Sequence, residues 1–309
     1  MASIGVIINP QAGGNLRNGV REAAFRAALG SRGVVIATGS PDELPAAARQ
    51  LAARGIDTLG VCGGDGSFYH TLSACLPAFA GHPLPAFLPL PAGSMNTIAS
   101  ALGWRRSDLA TTLRCVAAGD FDGIRTVERE LIQVNGTGYG FMVGAGVIVN
   151  FLAAYYREPG RGPIAAARVV ARLVSSALTG GSLGRELFAS VPANVRADDH
   201  VLPWQSYNIL YASTVSELGL GFKIAYRAGT VPDTFHVLAG EPRLSQLVWK
   251  LPQMKRGRAT RADALHDDLA KTLTVEFPGS SRYMVDGEIL APVDRLELRT
   301  GPRLRILVG

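Results

Sequence analysis

The sequence predicts an α/β domain with a doubly wound parallel sheet over residues 1–123, and a second domain, rich in antiparallel sheet, over 124–309. Three observations predict it. Short apolar runs alternate with helical stretches as far as Ala118, the pattern of parallel strands joined by crossover helices. From Ile124 onward strands follow one another with fewer helices between them, as in antiparallel pairing. Hydrophobic residues make up 47% of the chain and charged residues 18%, so the chain has ample core and is not a disordered one. Its 309 residues suit two domains of ordinary size.

The first strand is Ile4–Ile8, stopped by Asn9-Pro10. A helical stretch from Gly19 to Leu29 and a second strand, Val34–Ala37, follow. The next helix, Pro41–Ala53, opens with the acids Asp42 and Glu43 and closes at Gly55, as the helix dipole and glycine caps favour. A third strand, Leu59–Cys62, breaks at Gly63-Gly64-Asp65-Gly66, with a helix from Ser67. A fourth, Ala86–Leu90, is followed by Pro91-Ala92-Gly93-Ser94, a helix ending at Gly103, and a helix over Ser107–Ala118. In the second domain the expected strands are Val127–Val134, Tyr139–Val143, Leu187–Val191, Ser206–Ala212, Phe235–Leu238, Thr272–Phe277 and Tyr283–Val285. Helices are expected over 147–156, 163–178 and 243–256. The last run, Leu304–Val308, is free to join either domain.

Cys62, Cys75 and Cys115 are odd in number and form no C-x-x-C pair, which argues against a disulfide framework or thiolate metal site and fits a reducing cytoplasm. Met1-Ala2-Ser3 leads into an apolar strand without a basic n-region, so no signal peptide is expected. Residues 131–156 carry no charge, but five glycines and Gln133, Asn135 and Asn150 favour buried strands over a membrane span. The net charge of +6 is concentrated: Arg243, Lys250, Lys255, Arg256, Arg258 and Arg261 occur with no acid between them, interleaved with Leu247, Val248, Trp249, Leu251 and Met254. This suits either a surface that meets anionic lipid headgroups or a solvated basic face with its apolar side in the core. No nucleic-acid module is recognised, so no nucleic-acid partner is expected.

In open α/β sheets ligands bind beyond the carboxyl ends of the strands, and the breaks at Asn9, Thr38, Gly63 and Gly93 all follow strand ends. Gly63-Gly64-Asp65-Gly66-Ser67 is the strongest signal. Its glycines let backbone N–H groups approach an anion, and the helix behind it turns its positive end the same way. Asp65 stands where a carboxylate organises Mg²⁺ or its waters, or caps the turn. Asn9-Pro10-Gln11-Ala12-Gly13-Gly14 and Pro91-Ala92-Gly93-Ser94-Met95-Asn96 are two further loops. Each reads alone as an ordinary turn or N-cap; three on one sheet edge point to a phosphate site.

These motifs, with the late Tyr283-Met284-Val285-Asp286-Gly287-Glu288, resemble the diacylglycerol kinase catalytic family, which includes bacterial lipid kinases and sphingosine and ceramide kinases. The resemblance spans nearly the whole chain and is specific for the family rather than for the substrate. It implies a nucleotide domain, a C-terminal β-sandwich-like lipid domain, and an active site between them. It implies ATP and Mg²⁺ as cofactors and in-line transfer of phosphate to a lipid hydroxyl, of diacylglycerol or sphingoid type. By position the nucleotide contacts are Asn9, Pro10, Gln11, Ala12, Gly13, Thr38, Gly63, Gly64, Asp65, Gly66, Ser67, Phe68, Tyr69, His70, Ser94 and Asn96. Asp286 and Glu288 become the catalytic carboxylates with Asp65, and Glu288 is preferred as base. Around Thr230-Val231-Pro232-Asp233-Thr234-Phe235 the chain is similar to a bacterial subgroup with a structural Mg²⁺, which Asp233, Thr230 and Phe235 would hold. There the family usually has Gly where this chain has Thr234. The five histidines show no metal spacing. The resemblance further implies a membrane lipid as partner, transient membrane contact from the cytoplasm, and compatibility with oligomers. The rivals are an NAD kinase, where Gly-Gly-Asp-Gly recurs, and a non-catalytic binding protein on the same fold.

Overall fold

In the computed structural model, which describes residues 3–17, 21–106, 108–179 and 181–309, the chain divides into two units. One is Met1–Arg129 with Arg303–Gly309, the other Glu130–Pro302. Gly19 and Ser107, the expected starts of two helices, lie outside the described residues, as do Met1 and Ala2.

The first unit runs β1 (Ile4–Ile8), α1 (Gly13–Arg17), α2 (Arg21–Leu29), β2 (Gly33–Ala37), α3 (Leu44–Ala53), β3 (Thr58–Gly63), α4 (Asp65–Ala78), β4 (Ala86–Pro91), α5 (Thr97–Leu102) and α6 (Leu109–Ala118). Pro41–Glu43, expected as the first turn of α3, is a separate 3-10 turn. Strands β2, β1, β3 and β4 are neighbours in that order and all parallel. Side chains alternate across β1. Ile4, Val6 and Ile8 join Phe25, Leu29, Leu113 and Val116 in the core beneath α2 and α6. Gly5 faces the other way, where an added Cβ would stand 2.6 Å from Leu51 of α3. Helices therefore cover both faces, as a buried parallel sheet requires. Local chemistry sets the ends of α6: the Asp108 carboxylate accepts the Thr111 N–H at 3.0 Å, and Gly119 closes the helix in the left-handed region. Registers of Ile8 with Ala37 and Cys62, and of Gly63 with Pro91, bring four strand ends level. That alignment positions the site.

β5 (Arg125–Val134) leads into the second unit. There follow β6 (Gly138–Gly140), β7 (Met142–Gly146), α7 (Val147–Arg157), α8 (Pro163–Thr179), α9 (Ser182–Leu187), β8 (Val191–Pro192), β9 (Asn194–Ala197), β10 (His200–Val201), β11 (Ser206–Tyr207) and β12 (Ile209–Ser213). The chain continues with β13 (Phe235–Gly240), α10 (Leu244–Lys255), β14 (Leu265–Ala270), β15 (Thr272–Val285) and β16 (Glu288–Val308). The antiparallel order is β14-β13-β12-β7-β15-β16. β15 pairs β9 along its first half and β7 at its end, with register irregularities between Glu276 and Tyr283. The two strands expected at 272–277 and 283–285 are thus one bulged strand. Residues Leu304–Val308 of β16 return to the first unit, where Ile306 lies opposite Phe87 as a fifth parallel strand.

The strand expected at Leu187–Val191 is not formed as such. Leu187 ends helix α9, whose Gly184 N–H is held by Ser176 Oγ at 2.7 Å, and pairing starts only at Val191. The uncharged segment 131–156 is strand, hairpin and α7; no helix among the described residues is long and apolar enough to cross a membrane.

Candidate active site

Three loops meet at the carboxyl edge of the parallel sheet in the first unit. Asn9 joins two of them: its Nδ2 donates to Ser67 Oγ at 2.9 Å, and its Oδ1 accepts from the Gln11 N–H at 2.9 Å. Buried Asn15 locks the same corner, donating to the Asn9 carbonyl at 2.7 Å and accepting from Arg21 at 2.7 Å. The third loop crosses the second so closely that a Cβ on Gly93 would stand 2.5 Å from the Gly64 Cα. Gly14 donates to the Ala92 carbonyl at 2.7 Å, which ties first to third. Glycine is needed at these crossings because any side chain would strike backbone. Asn15 was not signalled by the motifs; a buried Asn one helical step past a glycine pair is indistinguishable by sequence from a surface one.

Helix α4 opens into this cluster. Gly64 caps it in an extended conformation without a side-chain bond, and the first helical bond is Phe68 N–H to the Gly64 carbonyl at 3.1 Å. The N–H groups of Asp65, Gly66 and Ser67 donate to no group among the described residues. A row of such donors at the positive end of a helix is an anion site, and the segment Gly64–Ser67 is partly exposed. Ser94, partly exposed with no bond among the described residues, stands at the crossing loop. Thr38 is buried, its N–H on the Ile8 carbonyl at 3.0 Å.

Asp65 is otherwise engaged. Its two carboxylate oxygens accept the Thr97 and Ile98 N–H groups, each at 2.9 Å, and so cap α5. Burial pushes its pKa up to about 6, against the lowering effect of those two bonds. Each oxygen accepts one amide and keeps a second lone pair. Asn96, in the left-handed region, closes its own loop through Gly93, 2.7 Å from Oδ1 to the N–H and 3.1 Å from Nδ2 to the carbonyl. Phe68 is fully buried and meets Phe87 edge-on at 5.5 Å, so it serves the core. Pro10 and Gln11 are exposed, Ala12 is buried, and Gly13, Tyr69 and His70 are partly exposed, the last two with rings 4.8 Å apart.

In the second unit, Asp286 and Gly287, with φ of 47° and 83°, form a two-residue turn between β15 and β16, where Val285 pairs Glu288. Asp286 is fully buried. Its Oδ1 accepts the Phe141 and Met142 N–H groups at 3.0 and 2.8 Å, and Oδ2 lies 3.1 Å from the former. The Tyr156 hydroxyl donates to the Gly287 carbonyl at 2.7 Å, a positioning contact with no sequence signal. Glu288 is partly exposed, and its side chain makes no hydrogen bond or ion pair among the described residues. The two acids therefore differ: one anchors the turn and one is left available.

Asp233 is exposed, in the left-handed region, and its carbonyl accepts from Thr300 Oγ1 at 3.0 Å. Thr230 Oγ1 donates to the Arg227 carbonyl at 2.7 Å, and Phe235 is buried in β13. No three His, Cys, Asp or Glu side chains among the described residues converge as a metal site.

A parallel sheet with three glycine loops on its carboxyl edge is followed by a strand-rich second unit. Residues 3–128 match the model of the diacylglycerol kinase catalytic domain. A Bacillus anthracis protein provisionally described as a diacylglycerol kinase superposes with a TM-score of 0.71 at 16% identity, over 99% of this chain and 97% of its own. A diacylglycerol kinase structure from the same organism gives 0.62 at 14%, with the same coverage. Yeast NADH kinase, solved with NADH, gives 0.53 at 10%, over 100% of this chain and 84% of its own. No curated protein matches the sequence.

Proposed function

We propose that the protein transfers the γ-phosphate of ATP to a hydroxyl on a membrane lipid of diacylglycerol or sphingoid type. The observation that carries this reading is the row of unpartnered N–H groups at the start of α4, within the family-matched domain. The three loops contain no lysine or arginine, so backbone donors are the chain's own means of holding phosphate charge. Ser94 and Ser67 offer hydroxyls beside them. Asp65 holds α5 and the crossing loop in place as a positioning residue. Glu288 accepts the proton of the attacking hydroxyl as its oxygen bonds the γ-phosphorus; the bond to the β-phosphate oxygen breaks and ADP leaves. Asp286 keeps Glu288 in place by pinning the turn. Mg²⁺, if bound with the nucleotide, would supply further neutralisation of phosphate charge, and the lone pairs that Asp65 keeps beside its two amide bonds would be open to the ion or its waters.

The experiment supplies γ-labelled ATP and Mg²⁺ to the full chain with a panel of lipids in mixed micelles, with NAD in parallel and Glu288→Gln as control. Label in a lipid, lost in the variant, supports the reading. Label in NAD alone replaces it with a nucleotide kinase, a reading that the likeness to the yeast enzyme's fold keeps in view. ATP binding without transfer to either overturns it in favour of a binding protein.

A further inference from the structure

We propose that α10 and the basic segment behind it form a docking surface for an anionic lipid bilayer, with Trp249 as its insertion residue. The inference rests on exposure and charge rather than on the reaction above. Trp249 is 75% exposed, the most open of the large apolar side chains among the described residues. Its helix already has a core side: Leu247 is buried, and Leu244, Val248, Leu251 and Met254 are partly so. Ser245, Pro252 and Arg256 lie four before, three after and seven after Trp249, so they share its face, and all three are exposed. Among the described residues the Trp249 side chain makes no hydrogen bond or ring contact.

Arg243, Lys250, Lys255, Arg256, Arg258 and Arg261 surround it without an intervening acid. Their six charges equal the formal net charge of the whole chain, +6, so the remainder is balanced. None of the six makes an ion pair among the described residues. The flanking acids are engaged elsewhere: Glu241 with the Ser190 and Ser206 hydroxyls, Asp263 with the Gln246 amide at 2.7 Å, Asp267 with His236 at 2.7 Å and Asp268 with Arg227 at 2.6 Å. None of these acids pairs with the six cations, of which Lys255 lies over the Phe222 ring at 5.2 Å. A lone exposed indole with cations on both sides matches the headgroup layer, where the ring sits at the interface and the cations meet phosphates. Single-stranded nucleic acid is bound by successive aromatic platforms, and α10 carries one aromatic residue only.

The test is sedimentation of the full chain, without ATP, with phosphatidylcholine vesicles and with vesicles of equal parts phosphatidylcholine and phosphatidylglycerol. Binding is expected to the anionic vesicles alone and to weaken with salt. Trp249→Ala should weaken it roughly tenfold, and Lys255→Glu with Arg256→Glu and Arg258→Glu should abolish it, since each cation contributes about fivefold near an anionic surface. A blue shift of tryptophan fluorescence on binding should vanish in Trp249→Phe, although Trp104 and Trp204 remain. All three variants should keep the wild-type melting temperature and the wild-type rate on substrate in detergent micelles. Wild-type vesicle affinity in the variants, or no wild-type binding to anionic vesicles, overturns the proposal; binding of duplex DNA without vesicle binding replaces it with a nucleic-acid surface. Loss of all lipid phosphorylation with docking intact strikes the reaction and leaves the surface standing.

Discussion

At the scale of the residue, three carboxylates that look alike in the sequence separate by their partners. Asp286 is buried on two backbone N–H groups, so Asp286→Ala strands both donors and should destabilise the second unit by about 3–5 kcal/mol, the range for removing one partner of a buried charge. A melting curve checks this. Glu288 has no such duty, and Glu288→Gln should leave the melting temperature within about a degree while lowering turnover at least ~100-fold. Equal losses of stability in both variants would contradict the division of roles. Asp65→Asn can offer only one acceptor to the two amides it caps, and should cost about 1–2 kcal/mol. The pH dependence has a definite sign. A folded pKa raised to about 6 means that the folded state holds the proton more tightly than the unfolded one. That contribution is complete below the unfolded pKa near 4 and is lost as pH rises through 6. The stability gap between wild type and Asp65→Asn should therefore narrow from pH 4 to pH 7 in denaturant titrations. Residue types at these positions were legible in the motifs, as was the choice of Asp65 as a possible cap; the buried backbone partners of Asp286 were not. An Asp-Gly turn reads as solvated, and only the far-off Phe141 and Met142 amides bury it.

At the scale of the element, the parallel sheet was legible because each apolar run gives way to a polar or glycine-bearing break and each connection is a helix-length stretch. Asn9, Thr38, Gly64 and Ala92 follow the ends of β1, β2, β3 and β4, and the register brings them level. The second unit was less so. β14 has the sequence Leu-His-Asp-Asp-Leu-Ala and β9 Asn-Val-Arg-Ala; neither is apolar enough to announce a strand, and their pairing with β13 and β15 decides the conformation. Leu187 shows the converse, an apolar residue whose short run suited either state until Ser176 fixed α9. Loop crossings lie beyond such patterns, since they depend on elements separated in sequence. They are testable: Gly93→Ala places a methyl against the Gly64 backbone at 2.5 Å. Overpacking of that kind costs about 1–3 kcal/mol and pushes the crossing loop off the start of α4. The variant should fold with a lowered melting temperature and bind ATP at least ~10-fold more weakly by calorimetry. Unchanged affinity would separate the loop crossing from nucleotide binding.

At the scale of the whole molecule, the family-matched segment ends at residue 128, yet the first unit does not. It is completed by Arg303–Gly309, which arrive after the entire second unit has been traced. Leu304, Ile306, Leu307 and Val308 are buried there, and the Gly309 carbonyl accepts the Arg105 and Arg106 N–H groups at 2.6 and 3.1 Å. Burying an aliphatic side chain is worth about 1.5–3 kcal/mol. Four of them are comparable with the ~5–15 kcal/mol that stabilises an ordinary domain. Without them β4 becomes an edge with unpaired backbone groups and an apolar face, the usual template for aggregation. A fragment of residues 1–129 should therefore be insoluble or lack a cooperative thermal transition, although it contains all three glycine loops. Adding residues 303–309 in trans as a peptide should restore part of the transition. In the full chain, truncation after Pro302 should raise hydrogen exchange first in β4, with β12 and β13 still protected. A fragment 1–129 that melts cooperatively at the temperature of the full chain would show that the returning strand is dispensable. The loops that bind phosphate would then be an autonomous module instead of one closed by the last residues of the chain.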